Sequence, residues 1–222
     1  RIGSAEFRNT QFSYTLGQDG IEKFVVTPEL QSEDHIGRDP LPPGQVWGIS
    51  PSSQDEGSGL YRIEVTEGPG SGVKILNRPS PPAFSESVKY AEANLYARSA
   101  ELVGDRNPRE HEFSVQLRAY DASKGGQSLG VAALLAMCST LINKSLRGGL
   151  VVVGGLNLGG SLEVMHNAID VVELAVEKGA SLVLMPVTAR KQLADLSDEM
   201  ATKVNVLYYS DVREAFGKAI AD

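Results

Sequence analysis

A chain of 222 residues, 41% of them apolar and 22% charged, is long enough to bury one large core or a core with a smaller module beside it. Its 21 basic against 28 acidic side chains give a net charge of −7 with no long basic tract, which excludes the electrostatic footprint of a direct nucleic-acid binder. A single cysteine, Cys138, excludes an internal disulfide, and the longest apolar runs, 131–138 and 150–153, fall far short of the roughly 20 residues that span a bilayer.

A soluble protein of the reducing cytoplasm is therefore expected, with no secretion signal and no membrane span. The chain starts at Arg1 with no initiating methionine, and we read it as an excised fragment with some vector-derived residues at its front.

From residue 9 to about 76 the pattern is one of short strands between turn clusters: 11–16, 21–26 after Gln18-Asp19-Gly20, 60–65 and 73–76. Proline clusters at 39–44 and 78–82 favour extended backbone, and the second sets the expected boundary between a β-rich module, 1–80, and a second domain, 81–222.

Beyond it, residues 85–103 carry Val88, Ala91, Leu95, Ser99 and Leu102 at helical spacing. A strand at 113–119, a glycine turn and a helix at 129–143 follow, the helix apolar nearly all round and so buried. Next come a strand at 150–153, a glycine-rich stretch at 154–160 and a short strand at 161–165. A helix at 167–178, stopped by Gly179, leads to a strand at 182–185. A helix at 189–196, a strand at 204–209 and a terminal helix capped by Ser210-Asp211 complete a mixed α/β layer fold of the α+β kind.

Ser128 is the most telling residue. It sits in Lys124-Gly125-Gly126-Gln127-Ser128-Leu129-Gly130 at the front of the small-residue helix. There, unpaired backbone N–H groups and the helix dipole suit an oxyanion, and the same position equally suits a helix N-cap. A serine hydroxyl needs a base to become a nucleophile at neutral pH.

The turn and helix resemble the nucleophile motif of the Lon-type serine peptidase domain, Lys-Asp-Gly-Pro-Ser-Ala-Gly, through Lys124, Gly126 and the spacing from Ser128 to Gly130. The similarity continues without a gap from about Phe113 to the C-terminus. Gly154 falls on the glycine of the family's Thr-Gly-Glu turn, Gly160 on the glycine after its hairpin, Lys178-Gly179 on the end of the following helix, and Leu184-Met185-Pro186 on its Leu-Ile-Pro. The β-rich lead-in with Gly59-Leu60-Tyr61-Arg62-Ile63-Glu64-Val65 is similar to one branch, the Lon-like C-terminal domain of the BREX phage-resistance proteins.

The resemblance implies a Lon proteolytic-domain fold appended to an AAA+ ATPase module. That module would carry the ATP, in a cytoplasmic ring, a hexamer, acting on polypeptide or DNA. It also implies a Ser–Lys dyad, and there this sequence departs. The family's lysine falls on Val171 and its supporting threonine on Val153, neither able to take a proton. His166 and Lys124 remain as candidate bases, whereas Lys178 lies about 10 Å further along the helix.

Three functions stay open: an assembly and interaction domain, an ATP-dependent serine endopeptidase using Ser128 with a non-standard base, and a module that binds polypeptide in the old groove without cutting. Gly154–Gly160 lacks the pattern of a phosphate loop and predicts a tight hairpin. His35, His111 and His166 offer no metal spacing, so no metal and no cofactor is expected in this fragment.

Overall fold

The computed structural model describes residues 35–53, 57–120 and 128–221, together with the backbone of residues 10–16 and 22–28. The first of two compact units, Arg1–His35, contains an antiparallel pair, β1 (Thr10–Leu16) and β2 (Glu22–Pro28), with Thr10 opposite Pro28 and Leu16 opposite Glu22. The turn expected at Gln18-Asp19-Gly20 lies outside the described residues.

The second unit, Ile36–Asp222, is built on a seven-stranded mixed sheet. In chain order its strands are β3 (Gln45–Ser50), β4 (Gly59–Pro69), β5 (Gly72–Ile75), β6 (His111–Ala119), β7 (Leu150–Val152), β8 (Leu182–Pro186) and β9 (Asn205–Tyr209). Across the sheet they run β5-β6-β4-β3-β7-β8-β9. The β6-β4-β3 core is antiparallel, β5 joins parallel at one edge, and β3, β7, β8 and β9 run parallel to one another.

This sheet corrects the expected boundary at 80/81. Strands β3, β4 and β5 hydrogen-bond directly to β6 and β7, so residues 45–75 and the later strands share one ladder, and the compact unit begins at Ile36. Prolines at 79–82 punctuate the backbone without separating the two cores. Strand β3, absent from the sequence expectation, is buried along five of its six residues, so it shows no polar alternation to betray it.

Alternate side chains of each strand enter different cores, as the period-two pleat requires. Leu150 and Val152 of β7, with Tyr61, Ile63 and Val65 of β4, join the helices α1 (Pro82–Ala97), α2 (Ser99–Val103), α3 (Gly130–Ile142) and α6 (Val212–Ala219). Val151, Val183, Met185, Trp47 and Ile49 point into a second cluster with α4 (Ala168–Glu177). Ten consecutive residues of α3, Gly130 through Ser139, are buried, because the helix lies between the sheet and α1. Truncating any of its leucines should cost about 2–5 kcal/mol.

The helix expected over 85–103 breaks at Arg98 into α1 and α2, and begins earlier because Pro82 fits a first turn whose N–H has no helical partner. Residues 161–165 form no strand, only an isolated bridge from Leu162 to Leu156. The segment Val187–Asp195 is 3₁₀ in place of the expected α-helix. A short unexpected helix, α5 (Asp198–Lys203), follows Ser197, whose hydroxyl accepts the N–H of Met200. At α6 the expected cap is present: Asp211 accepts the Glu214 N–H at 2.8 Å, and Glu214 reaches back to the Ser210 N–H at 2.8 Å.

Candidate functional site

The N-terminus of α3 is fixed by close packing on two sides. Leu129, 1% exposed, lies over Gly48 of β3, where an added Cβ would stand 3.0 Å from the leucine Cδ2. Gly130 lies against the backbone of Leu156, and the Val131 N–H donates to the Gly154 carbonyl at 3.3 Å. These contacts bring the glycine-rich stretch up to the helix and leave Ser128, half-buried, one residue before the cap position.

Ser128 does not cap the helix, contrary to one of the two roles its position suggested. The cap position is Leu129, no side chain caps the first turn, and Ser128 itself takes a left-handed backbone with φ 54°. For a non-glycine residue that conformation costs about 1–2 kcal/mol, sustained by the packing on either side. Freed from capping, the hydroxyl donates to Glu163 Oε2 at 3.1 Å.

Glu163 is the residue that sequence reasoning missed. A turn closes the stretch after Gly154: Asn157 N–H donates to the Ser161 carbonyl, Leu156 bridges Leu162, and the Glu163 N–H donates to the Gly155 carbonyl at 2.9 Å. This is the expected tight hairpin, and its register alone would have set residue 163 beside residue 155. Gly155 is needed there, since a Cβ would fall 1.9 Å from Glu163 Oε2. The hairpin is tied to α1 by Asn94, 1% exposed, whose Nδ2 donates to the Asn157 and Tyr90 carbonyls, and by Arg98, which donates to Gly159 O.

On the far side of Gly154 the chemistry is hydrocarbon. Val153 and Val171, the positions the resemblance assigned to the supporting threonine and the lysine, are both 0% exposed and belong to the same apolar cluster, with Met165, Met185 and Ala168. Gly154, at φ 145°, lies where a Cβ would meet the Tyr209 hydroxyl at 2.0 Å. That hydroxyl donates to the Val153 carbonyl at 2.6 Å, and burial pushes its pKa upward.

Ser128, Glu163 and His166 line one cavity of about 120 Å³, with Ser52, Gly154, Gly155 and Met165. The structure therefore brings two of the expected site residues, Ser128 and His166, to one wall, while the serine hydroxyl bonds the carboxylate. His166 is exposed, and the backbone on either side of it is clamped by Gln192, which donates to the Met165 carbonyl and accepts the Ala168 N–H. Lys124, the other candidate base, and Gly125 to Gln127 lie outside the described residues.

A hydroxyl donating to a carboxylate is polarised, but carboxylates as a class are weak bases at neutral pH compared with an amine or imidazole. The oxyanion expectation is also narrowed, because the Val131 N–H is already given to Gly154 and that of Ala133 to Leu129. Cys138 is fully buried in α3 with its thiol pKa pushed up by desolvation, as befits a packing residue. Among the described residues no three histidine, cysteine or acidic side chains converge as a metal site, and no helix is long and apolar enough to cross a membrane.

Comparison with known proteins matches residues 16–222 to the family model of the Lon protease (S16) C-terminal proteolytic domain. The match takes in β3, β4 and β5 as well as the segment from Phe113 on which the sequence resemblance stood. Lon-like protease BrxL of Escherichia coli O9:H4 (strain HS) is 28% identical over 99% of this chain and 32% of its own length. Lon-like protease BrxL of Bacillus cereus (strain H3081.97) is 22% identical over the same shares. Lon protease of Lawsonia intracellularis (strain PHE/MN1-00) is 27% identical over 98% of this chain and 26% of its own length. The chain thus spans about a third of the BrxL relatives and a quarter of that Lon protease.

Proposed function

The chain belongs to the Lon protease C-terminal proteolytic domain family, and from that premise we propose that it serves assembly and interaction in place of peptide hydrolysis. It does so as part of a larger cytoplasmic protein, of the phage-defence branch, whose separate AAA+ module binds ATP and whose copies close into a hexameric ring. The observation that carries this proposal is the burial of Val171 and Val153 in one apolar cluster, where the family's dyad has its base and the support for that base.

Two exposed apolar side chains on the hairpin side, Leu158 at 65% and Val164 at 72% exposed, add support, since apolar surface beside a cleft suits contact with a neighbour or a bound chain. In the full-length protein, Ser128→Ala is expected to leave ring mass, read by native mass spectrometry, and biological activity unchanged. An intact ring with lost activity would overturn the proposal.

The hydrogen bond from Ser128 to Glu163 favours a second reading, an ATP-dependent serine endopeptidase in which a carboxylate replaces the lysine as proton acceptor, with His166 in reserve. It predicts labelling of Ser128 by a fluorophosphonate and cleavage of casein by the full-length protein, both lost in Glu163→Gln. Absence of labelling and of cleavage with ATP present eliminates it.

A further inference from the structure

Glu163 and Ser128 also form one end of a larger cavity of about 400 Å³, walled on its other side by Ala83, Glu86, Ser87 and Tyr90 of α1. It holds two carboxylates, and among the described residues neither Glu86 nor Glu163 has an ion-pair partner. Each has given one acceptor site to a hydroxyl, Glu86 to Tyr90 at 2.7 Å and Glu163 to Ser128 at 3.1 Å, and a carboxylate has about four.

Ser87 supplies an independent sign. It is only 8% exposed, it lines this cavity, and its hydroxyl has no hydrogen-bond partner among the described residues. That hydroxyl opens onto the cavity's solvent, since no fully buried side-chain oxygen or nitrogen among the described residues lacks a partner, and it is free to accept from a group bound there. The phenol of Tyr90 registers the local field: its pKa is raised first by the hydrogen bond and charge of Glu86 and further by the charge of Glu163. Ala83 and the buried Leu156 add an apolar strip to an otherwise polar wall.

We propose that this cavity seats a lysine or arginine side chain of a bound polypeptide. The cationic head would lie between Glu86 and Glu163 with the Ser87 hydroxyl as a further acceptor, and the methylene stem would lie along Ala83 and Leu156. This deepens the proposed interaction role and rests on it, because a cleft that lacks a lysine base can hold a chain beside Ser128 without cutting it. It also assigns Glu163 two partners, the serine and the cation of the bound chain.

The test uses two fluorescein-labelled decapeptides, identical except for one lysine replaced by norleucine, titrated by anisotropy onto the full-length protein. The lysine peptide is expected to bind about tenfold more tightly, with the preference shrinking as salt rises. Glu86→Gln and Glu163→Gln should each reduce the preference several-fold and the double variant should abolish it, while Glu199→Gln on α5 leaves it intact. For a double variant that fails to fold, competition of the unmutated protein with N-acetyl-lysinamide reads the same seat. Equal affinity for the two peptides, failure of N-acetyl-lysinamide to compete, or a preference that survives in the folded double variant overturns the proposal. So does heat of magnesium binding that is lost in the double variant and displaces the peptide, which would make the cavity a metal site. Cleavage of either peptide, read by mass spectrometry, instead overturns the non-cutting reading while the lysine preference stands, so the two failures are distinguishable.

Discussion

Gly154 divides two regions that a working Ser–Lys dyad would join. On one side Ser128, Glu163 and His166 bring polar groups to a cavity of about 120 Å³. On the other, Val153 and Val171 are wholly excluded from water among other apolar side chains. The cleft side carries a hydroxyl on a strained backbone and a carboxylate that accepts from it, while the region behind the turn packs as ordinary core. The two regions are supported by different contacts, α3 and the hairpin around Ser128, α4 and the second core around Val171, so one can change without the other.

The largest effect that tests this contrast is Val171→Lys. Placing an ammonium in a closed apolar cluster should cost about 3–5 kcal/mol, read as a lower denaturant midpoint. Unchanged stability together with new fluorophosphonate reactivity at Ser128 would show that the base position still opens onto the cleft.

Next in size is the turn itself. Gly154→Ala should cost about 2–3 kcal/mol by forcing a Cβ against the Tyr209 hydroxyl at a φ that side chains avoid. Tyr209→Phe, which only strands the Val153 carbonyl, should cost about 1–2 kcal/mol. If both are neutral, the turn is not what separates the two regions.

On the cleft side, Ser128→Gly should be more stable than Ser128→Ala by about 1 kcal/mol. Both lose the bond to Glu163, but only glycine relieves the left-handed backbone. Equal melting temperatures would mean that Ser128 stores no strain.

The smallest effect is expected at an exposed pair on α6, a reference for ordinary surface electrostatics. Glu214 is held down to about pKa 2 by the Lys218 ammonium first, then by the hydroxyl and N–H of Ser210. A depressed carboxylate pKa stabilises the fold above the ordinary carboxylate pKa and loses that contribution as pH falls toward 2. Glu214→Gln should therefore lower the melting temperature slightly at pH 7, and the gap from the unmutated protein should close between about pH 4.5 and pH 2. A gap that persists at pH 2 would assign the effect to packing, since the pair is exposed and screened.

Local pattern alone was enough for α3, α4 and α6, for the strands around 60–65, 113–119 and 182–185, and for Ser128 at the front of a buried helix. Each of these carries its periodicity or cap within a few residues. The family resemblance assigned the lysine to Val171 and its supporting threonine to Val153, and the structure buries both valines in one cluster. The tertiary structure alone decided what depends on residues distant along the chain. Strand β3 is hidden by burial on both faces, and residues 45–75 join the main sheet through ladders to β6 and β7. Ser128 donates to Glu163, 35 positions away, and does not cap its own helix. Helical and strand periods are written into neighbouring residues, whereas the partner of a hydroxyl is fixed by which loop the fold lays beside it.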